Sequence, residues 1–359
     1  MKARFASIIF VLTAFAGVGV MAQSSQSQAP LSPPPMLGTG EDLQGRPVPF
    51  GVPPYFTADT ALGSGPYPAV MATDPGLPEN VFYHPADLEA AGELPIVVWG
   101  NGGCVHAGNR FRVFLTELAS HGFLVLSAGT TGHVALEVGP QENPWVSVPD
   151  GPPRPPPSPP IENDPTAPWR STRSNVDHMR AAIDWAVAQN TNAESAFYGR
   201  LDTEAVGAGG QSCGGGLTTR LAGDERLKAI GIFNSGTRLQ SRFGRDVTEE
   251  QAATGRERLD AVHTPTVILT GDRYLDSAYG GGHDTFDYLS DVPVFHAWQE
   301  GLTHIGTYGA PNGGSIARIA SDWYKWHLKG DQQAARMFAG DDCLLCQDTT
   351  WHVQKKNMD

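Results

Sequence analysis

Between Ala205 and Ala222 the chain reads AVGAGGQSCGGGLTTRLA. An apolar β-rich run enters five glycines that surround one serine and one cysteine, and a helical pattern leaves them. Few folds accommodate that join. A flexible linker does not sit between a buried strand and a helix. A phosphate-binding P-loop needs Lys followed by Ser or Thr after its second glycine, and Gly216 is followed by Leu217 and Thr218. A dinucleotide fingerprint belongs on an early strand, whereas this stretch comes late. What remains is a tight strand-to-helix turn that holds Ser212 clear of the sheet, with glycines at 210 and 214 allowing close backbone approach.

The surrounding pattern supplies the sheet such a turn requires. Short strands are predicted at Tyr67–Ala72 and Asn80–Tyr83, and stronger ones at Leu94–Gly100 and in the stretch GFLVLSAG, with helical spacing over Arg112–Ser120 between these two. A helix over Asn175–Asn190 places Met179, Ala182, Ile183 and Ala186 on one stripe. Then come a strand EAVGAGG, a helix Gly215–Ala222, strands LKAIGIF, PTVILTG and VPVFHAW, and a last helix Ile316–Leu328 carrying Ile319, Trp323 and Trp326. Repeated strand-helix alternation predicts an α/β protein with a doubly wound, mostly parallel sheet covered by helices on both faces. No internal repeat is visible.

The ends of the chain bound its environment. Lys2 and Arg4 precede an apolar run ending Val20-Met21-Ala22, the pattern of a secretory signal over residues 1–22. Residues 23–63, rich in Ser, Gln and Pro, read as an N-terminal arm, and 64–359 as a single domain. No second apolar run is long enough to span a bilayer, so no stable membrane anchor is expected after cleavage, and the protein should be secreted or periplasmic. With 38 acidic against 25 basic residues the chain carries −13 formal charges, which disfavours nucleic acid or an anionic membrane as partner. Nothing in the sequence addresses oligomeric state. A proline-rich excursion at 150–169, with Trp145 and Trp169 near its ends, reads as a stiff surface loop or one wall of a cleft.

The turn at Ser212 fits Gly-x-Ser-x-Gly (Gly210–Gly214), the nucleophile elbow. A serine nucleophile needs a base and an orienting acid downstream. His304, in the glycine-flanked loop GLTHIGTYG after VPVFHAW, is the best placed of the 11 histidines. His296 lies inside that strand, His283 in a glycine-rich stretch read as a loop, and His327 and His352 come too late. Two acids, Asp272 and Asp276, follow the strand PTVILTG, and spacing leaves them nearly even, while Asp284 and Asp287 read as helix-start residues. Backbone N–H groups of Cys213 and of Gly103 or Cys104, in the loop GNGGC after Leu94–Gly100, are the candidate oxyanion-hole donors. Cys104 and Cys213 would then flank one hole, and a disulfide between them requires Cα atoms within about 7 Å. Cys343 and Cys346 form a CxxC without a second ligand pair, a poor zinc or thioredoxin site and more simply a local staple.

These residues resemble the α/β-hydrolase family from about Gly65 to Lys356. The likeness is closest to exported hydrolases with an NGGC loop, a GQSCGG elbow, a DxAY acid loop, an HxGTY histidine loop, PNGG, and a terminal KGD…CxxC…W segment. These stand at Asn101–Cys104, Gly210–Gly215, Asp276–Tyr279, His304–Tyr308, Pro311–Gly314 and Lys329–Trp351. The group is more distantly similar to cutinase-like polyester hydrolases and dienelactone-hydrolase-like enzymes. Cys213 departs from the methionine that polyester hydrolases usually carry there, and the proline-rich excursion is an addition. The resemblance implies Asp276 as the acid, a Ser212-His304-Asp276 triad cleaving small or polymeric carboxylic esters, and no metal or cofactor. Since His304 must be neutral to act as base, activity is expected to rise from mildly acidic pH to a plateau. Amide or peptide cleavage by the same triad, and a catalytically silent binding protein on this fold, remain the alternatives.

Overall fold

The computed structural model describes residues 62–131, 173–241 and 246–358, and the backbone of a strand pair, Gly40–Glu41 with Pro47–Val48. Residues 1–22, read as a secretory signal, most of the segment read as an N-terminal arm, and the proline-rich stretch with Trp145 and Trp169 lie outside the described residues.

Nine strands form one sheet: β1 (Ala69–Ala72), β2 (Asn80–Pro85), β3 (Leu94–Gly100), β4 (Leu124–Ala128), β5 (Leu201–Gln211), β6 (Leu227–Phe233), β7 (Thr266–Thr270), β8 (Val294–Gln299) and β9 (Trp351–Lys356). Their order is β9-β8-β7-β6-β5-β3-β4-β2-β1. The six from β4 to β8 are parallel, and β2, β1 and β9 add antiparallel margins. β3, β4 and β7 are buried at every residue, as expected of parallel strands covered on both faces, and this is why they read as unbroken apolar runs.

The helices are α1 (Leu88–Ala91), α2 (Arg112–Ser120), α3 (Val176–Thr191), α4 (Cys213–Leu221), α5 (Glu249–Asp260), α6 (Tyr279–Tyr288), α7 (Gly314–Lys329), α8 (Gln332–Ala335) and α9 (Leu344–Gln347). Because side chains alternate along a strand, β3 sends Val97 and Trp99 to one face and Ile96 and Val98 to the other. The first face packs on α2 through Phe114, Leu115 and Leu118 and on α7 through Ile316, Ile319 and Trp323. The second packs on α3 through Met179, Ala182 and Ile183, on α4 through Leu217 and Leu221, and on α5 and α6 through Leu259 and Phe286. Helices therefore cover both faces, as the alternation predicts.

Three elements depart from the sequence reading. The stretch around His283 is not a loop: Tyr279–Tyr288 is helical, so Asp284 and Asp287 are interior to α6 rather than at its start. Buried Asp284 accepts the backbone N–H groups of Leu239 (2.8 Å) and Gln240 (3.2 Å), tying the segment after β6 to α6. Helix α5 and strand β9 were not anticipated.

Candidate active site

Strand β5 delivers Ser212 at the point where sheet becomes helix. Its backbone takes φ 54° and ψ −118°, a conformation that costs an L-residue on the order of 1–3 kcal/mol and persists only when the surroundings enforce it. The Ser212 N–H donates to Phe233 O (3.0 Å) and the Ser235 hydroxyl donates to Ser212 O (2.7 Å). The start of α4 also lies directly on the end of β3, since a Cβ at position 214 would fall 1.9 Å from Gly100 O. That contact explains why glycine follows the turn.

Ser212, His304 and Asp276, far apart in sequence, form one hydrogen-bonded chain. His304 Nε2 lies 2.8 Å from Ser212 Oγ, and His304 Nδ1 lies 2.6 Å from Asp276 Oδ1. Ala278 N–H also donates to Oδ1 (2.8 Å), while Oδ2 accepts Gly271 N–H (2.7 Å) and Asn234 Nδ2 (2.9 Å). Burial alone would raise the Asp276 carboxyl. The hydrogen bond and charge of His304, with the N–H groups of Gly271 and Ala278, outweigh it and hold the carboxyl below its ordinary value. With Asp276 ionised and accepting, His304 carries its proton on Nδ1 and turns a lone pair on Nε2 toward the serine. Asp272, the rival acid, instead accepts the N–H groups of Tyr274 (2.6 Å) and Gly301 (3.0 Å) and braces the loop.

Three residues that the sequence did not single out hold this chain in place. Asn234, fully buried at the end of β6 with φ 40°, donates to Asp276 Oδ2 and to Thr303 O (3.2 Å) and accepts the Tyr308 hydroxyl (2.7 Å). Gln211 donates through Nε2 to His304 O (2.8 Å), so the residue preceding the serine fixes the histidine loop. The Tyr308 phenol, buried beside Asp276, is pushed well above its ordinary value by desolvation and then by the carboxylate charge, so it stays a donor. Gln211 and Tyr308 fall inside the GQSCGG and HxGTY motifs without a role assigned to either, and the signal for Asn234 was only its place at a strand end.

The loop after β3 closes into a 3₁₀ turn, Gly102–Cys104, with Gly103 at φ 66° and Cys104 at φ 50°. Cys104 N–H donates to Asn101 O (3.0 Å). Of the two candidate donors in this loop, Cys104 is thus engaged within the turn, and Gly103 is not. Asn101, fully buried, anchors the turn from below by donating to Ala107 O (3.0 Å) and Ala128 O (2.7 Å). A Cβ at Gly102 would lie 1.9 Å from Gln211 Oε1, so the turn and the serine strand are in direct contact. Cys104 and Cys213 are disulfide-bonded with Cα atoms 5.2 Å apart, and Cys343 and Cys346 form a second bridge. Among the described residues no cysteine is free.

The remaining histidines are built into the structure. His296 is fully buried, and desolvation followed by the neighbouring His283 holds it well below its ordinary value. His283 packs against Tyr279 and Trp298, and His352 stacks on Trp298. Glu79, His106 and His178 are the only group of three metal-ligating side chains, among the described residues, whose ligand atoms lie within 4.8 Å of one another. Existing hydrogen bonds already occupy them: His106 Nε2 meets Glu79 Oε2 at 2.6 Å, His106 Nδ1 meets Ser174 Oγ at 3.1 Å, and His178 Nδ1 accepts Asn175 N–H at 3.2 Å. An acceptor role at Nδ1 puts the proton of neutral His178 on Nε2, where a metal would need a lone pair. The cluster ties the segment after the 3₁₀ turn to β2 and to α3.

No protein-family model matches this chain, and no curated protein matches it. No described helix is long and apolar enough to cross a membrane, and two disulfides are consistent with an extracellular location.

Proposed function

We propose that this protein is an exported serine hydrolase of the α/β-hydrolase fold that cleaves carboxylic esters with Ser212 as nucleophile, His304 as general base and Asp276 as orienting acid. The observation that carries the reading is the unbroken chain Ser212 Oγ–His304 Nε2 and His304 Nδ1–Asp276 Oδ1, at 2.8 and 2.6 Å, built on a strained strand-to-helix turn. The order Ser, Asp, His along the chain, and a loop donor following an earlier strand, support the α/β-hydrolase assignment. The two disulfides and the signal-like N-terminal segment support export.

In the first half-reaction Ser212 Oγ attacks the ester carbonyl as His304 Nε2 takes its proton, and Asp276 stabilises the imidazolium. The N–H groups of Cys213 and Gly103 receive the developing oxyanion. Collapse of the tetrahedral intermediate breaks the bond to the alcohol oxygen, which takes the proton from His304. Water, deprotonated by His304, then attacks the acyl-enzyme and releases the acid and Ser212. Hydrolysis of a short and a long 4-nitrophenyl acyl ester by the mature protein, beside Ser212→Ala, tests the proposal. Turnover that vanishes in the variant upholds it, and equal turnover by both proteins overturns it.

A further inference from the structure

The 3₁₀ turn that carries the candidate oxyanion donor is fastened along one edge by Arg173 and Ser174, which lead into α3. Arg173 pairs with Val105 as an isolated antiparallel bridge, its Nη1 donates to Gly103 O, and Ser174 N–H donates to Cys104 O (3.0 Å). Two successive carbonyls of the turn are therefore held by two successive residues. The segment that holds them has a firm base. Ser174 is buried and its hydroxyl donates to Ala128 O (3.1 Å) at the end of β4, while the Asn175 side chain caps α3.

The turn is strained at one peptide. Gly103 takes φ 66° and ψ 4°, which glycine tolerates, but Cys104 follows at φ 50°, disfavoured for a residue with a side chain. Turning over the Gly103–Cys104 peptide would carry Cys104 into the extended region and relieve that strain. A peptide turns over between fixed Cα atoms, so the Cys104–Cys213 bridge does not prevent it. What opposes it is one bond at each edge: Cys104 N–H on Asn101 O (3.0 Å) and the Arg173 guanidinium on Gly103 O. Without the second, the first alone resists the strain, and its loss opens the turn. The Gly103 N–H is aimed by the preceding peptide. Val105 N–H donates to Gly102 O (3.3 Å), and in a planar trans peptide the Gly103 N–H then points the opposite way. Val105 is itself the residue that Arg173 pairs with.

We propose that Arg173 is a positioning residue of the oxyanion hole, which locks the Gly103–Cys104 peptide and thereby the turn that presents the Gly103 N–H. This rests on the hydrolase reading of Ser212. The test measures 4-nitrophenyl acetate hydrolysis by Arg173→Met and Arg173→Lys, with Arg180→Met as the control on an exposed arginine paired with Asp177. Arg173→Met should lower kcat about 10-fold, the lower end of the range for a hydrogen bond to a charged group, with KM and Tm close to those of the parent. Arg173→Lys, which can still donate to Gly103 O, should recover part of the loss, and Arg180→Met should match the parent. Affinity for a trifluoromethyl ketone, whose adduct with Ser212 carries the oxyanion, should fall in Arg173→Met by the same factor as kcat/KM. The loss should persist at about 1 M NaCl, where charges are screened within about 3 Å. An unchanged kcat in Arg173→Met, a loss confined to KM, or a loss that salt abolishes would overturn the proposal, the last by assigning the effect to the guanidinium charge rather than to the turn. A parent that hydrolyses no ester and takes no fluorophosphonate on Ser212 removes the hydrolase reading and this role with it. A parent that turns over ester while Arg173→Met equals it removes the role of Arg173 alone.

Discussion

Replacing Cys104 and Cys213 together by alanine should harm stability and catalysis at once, and the structure sets the size of each effect. The bridge closes a loop with a sequence separation of 109, against 3 for Cys343–Cys346. In the chain-entropy account the long loop is worth about 4.7 kcal/mol and the short one about 1.6 kcal/mol. At about 2 °C per kcal/mol for a chain of this size, Tm should fall by roughly 10 °C for the first pair and roughly 3 °C for the second. The long bridge also joins Cys213, one candidate oxyanion donor, to the turn that carries the other. Its removal leaves both N–H groups present but less firmly placed, so kcat should fall roughly 10-fold, less than the 10²–10³ that follows deletion of a donor. Calorimetry and ester kinetics on the two double variants, each beside the parent, measure both quantities. A Cys104/Cys213 variant that melts within about 2 °C of the parent, or a larger loss from the Cys343/Cys346 pair, would refute the reasoning.

Other consequences follow from single contacts. Asp276→Asn should lower kcat by roughly 10⁴-fold with little change in fold, since the amide no longer holds His304 in the productive tautomer; ester kinetics and circular dichroism check it. Gly214→Ala, whose Cβ would meet Gly100 O at 1.9 Å, should destabilise by roughly 3 kcal/mol, whereas Gly216→Ala, a helical position with nothing within 4 Å, should stabilise by roughly 0.5–1 kcal/mol; denaturant titration of both decides. Burial pushes the His327 ring from an ordinary value of 6.5 down to about 4. The unfolded chain therefore takes a proton that the folded protein refuses, and the contribution to stability, complete above pH 6.5, is lost as pH falls toward 4. His327→Leu, packed against Trp323 and Trp326, should shrink the difference between Tm at pH 7 and at pH 4.5.

What could be read in advance follows from burial. Leu94–Gly100, Leu227–Phe233 and Arg112–Ser120 were placed to the residue because a parallel strand covered on both faces, or a helix on the core, announces itself in apolar residues. Helix α5, EEQAATGRERLD, buries only Ala252, Gly255 and Leu259 and lacks a legible stripe; its signal was the capping box of Thr248 with Gln251. In α6 three consecutive glycines, packed against Gly236, Thr270 and His296, disguise a helix as a loop. Strand β9 lies at the sheet margin, and four of its six residues are polar. At the site, Ser212 and His304 stood out because the elbow and the glycine-flanked loop are local patterns. The tie between Asp272 and Asp276 could not be broken by spacing, since both lie at the same strand end and only one faces the histidine. Asn234, Gln211 and Tyr308 were not legible because their role lies in contacts across 42 to 93 residues of sequence.

The most direct test is labelling of the folded protein with a fluorophosphonate, read by intact mass and peptide mapping. The account predicts one adduct, on the peptide containing Ser212, absent in Ser212→Ala and formed far more slowly in His304→Ala. An adduct on another serine, equal labelling of Ser212→Ala, or no adduct in a protein shown to be folded would contradict it.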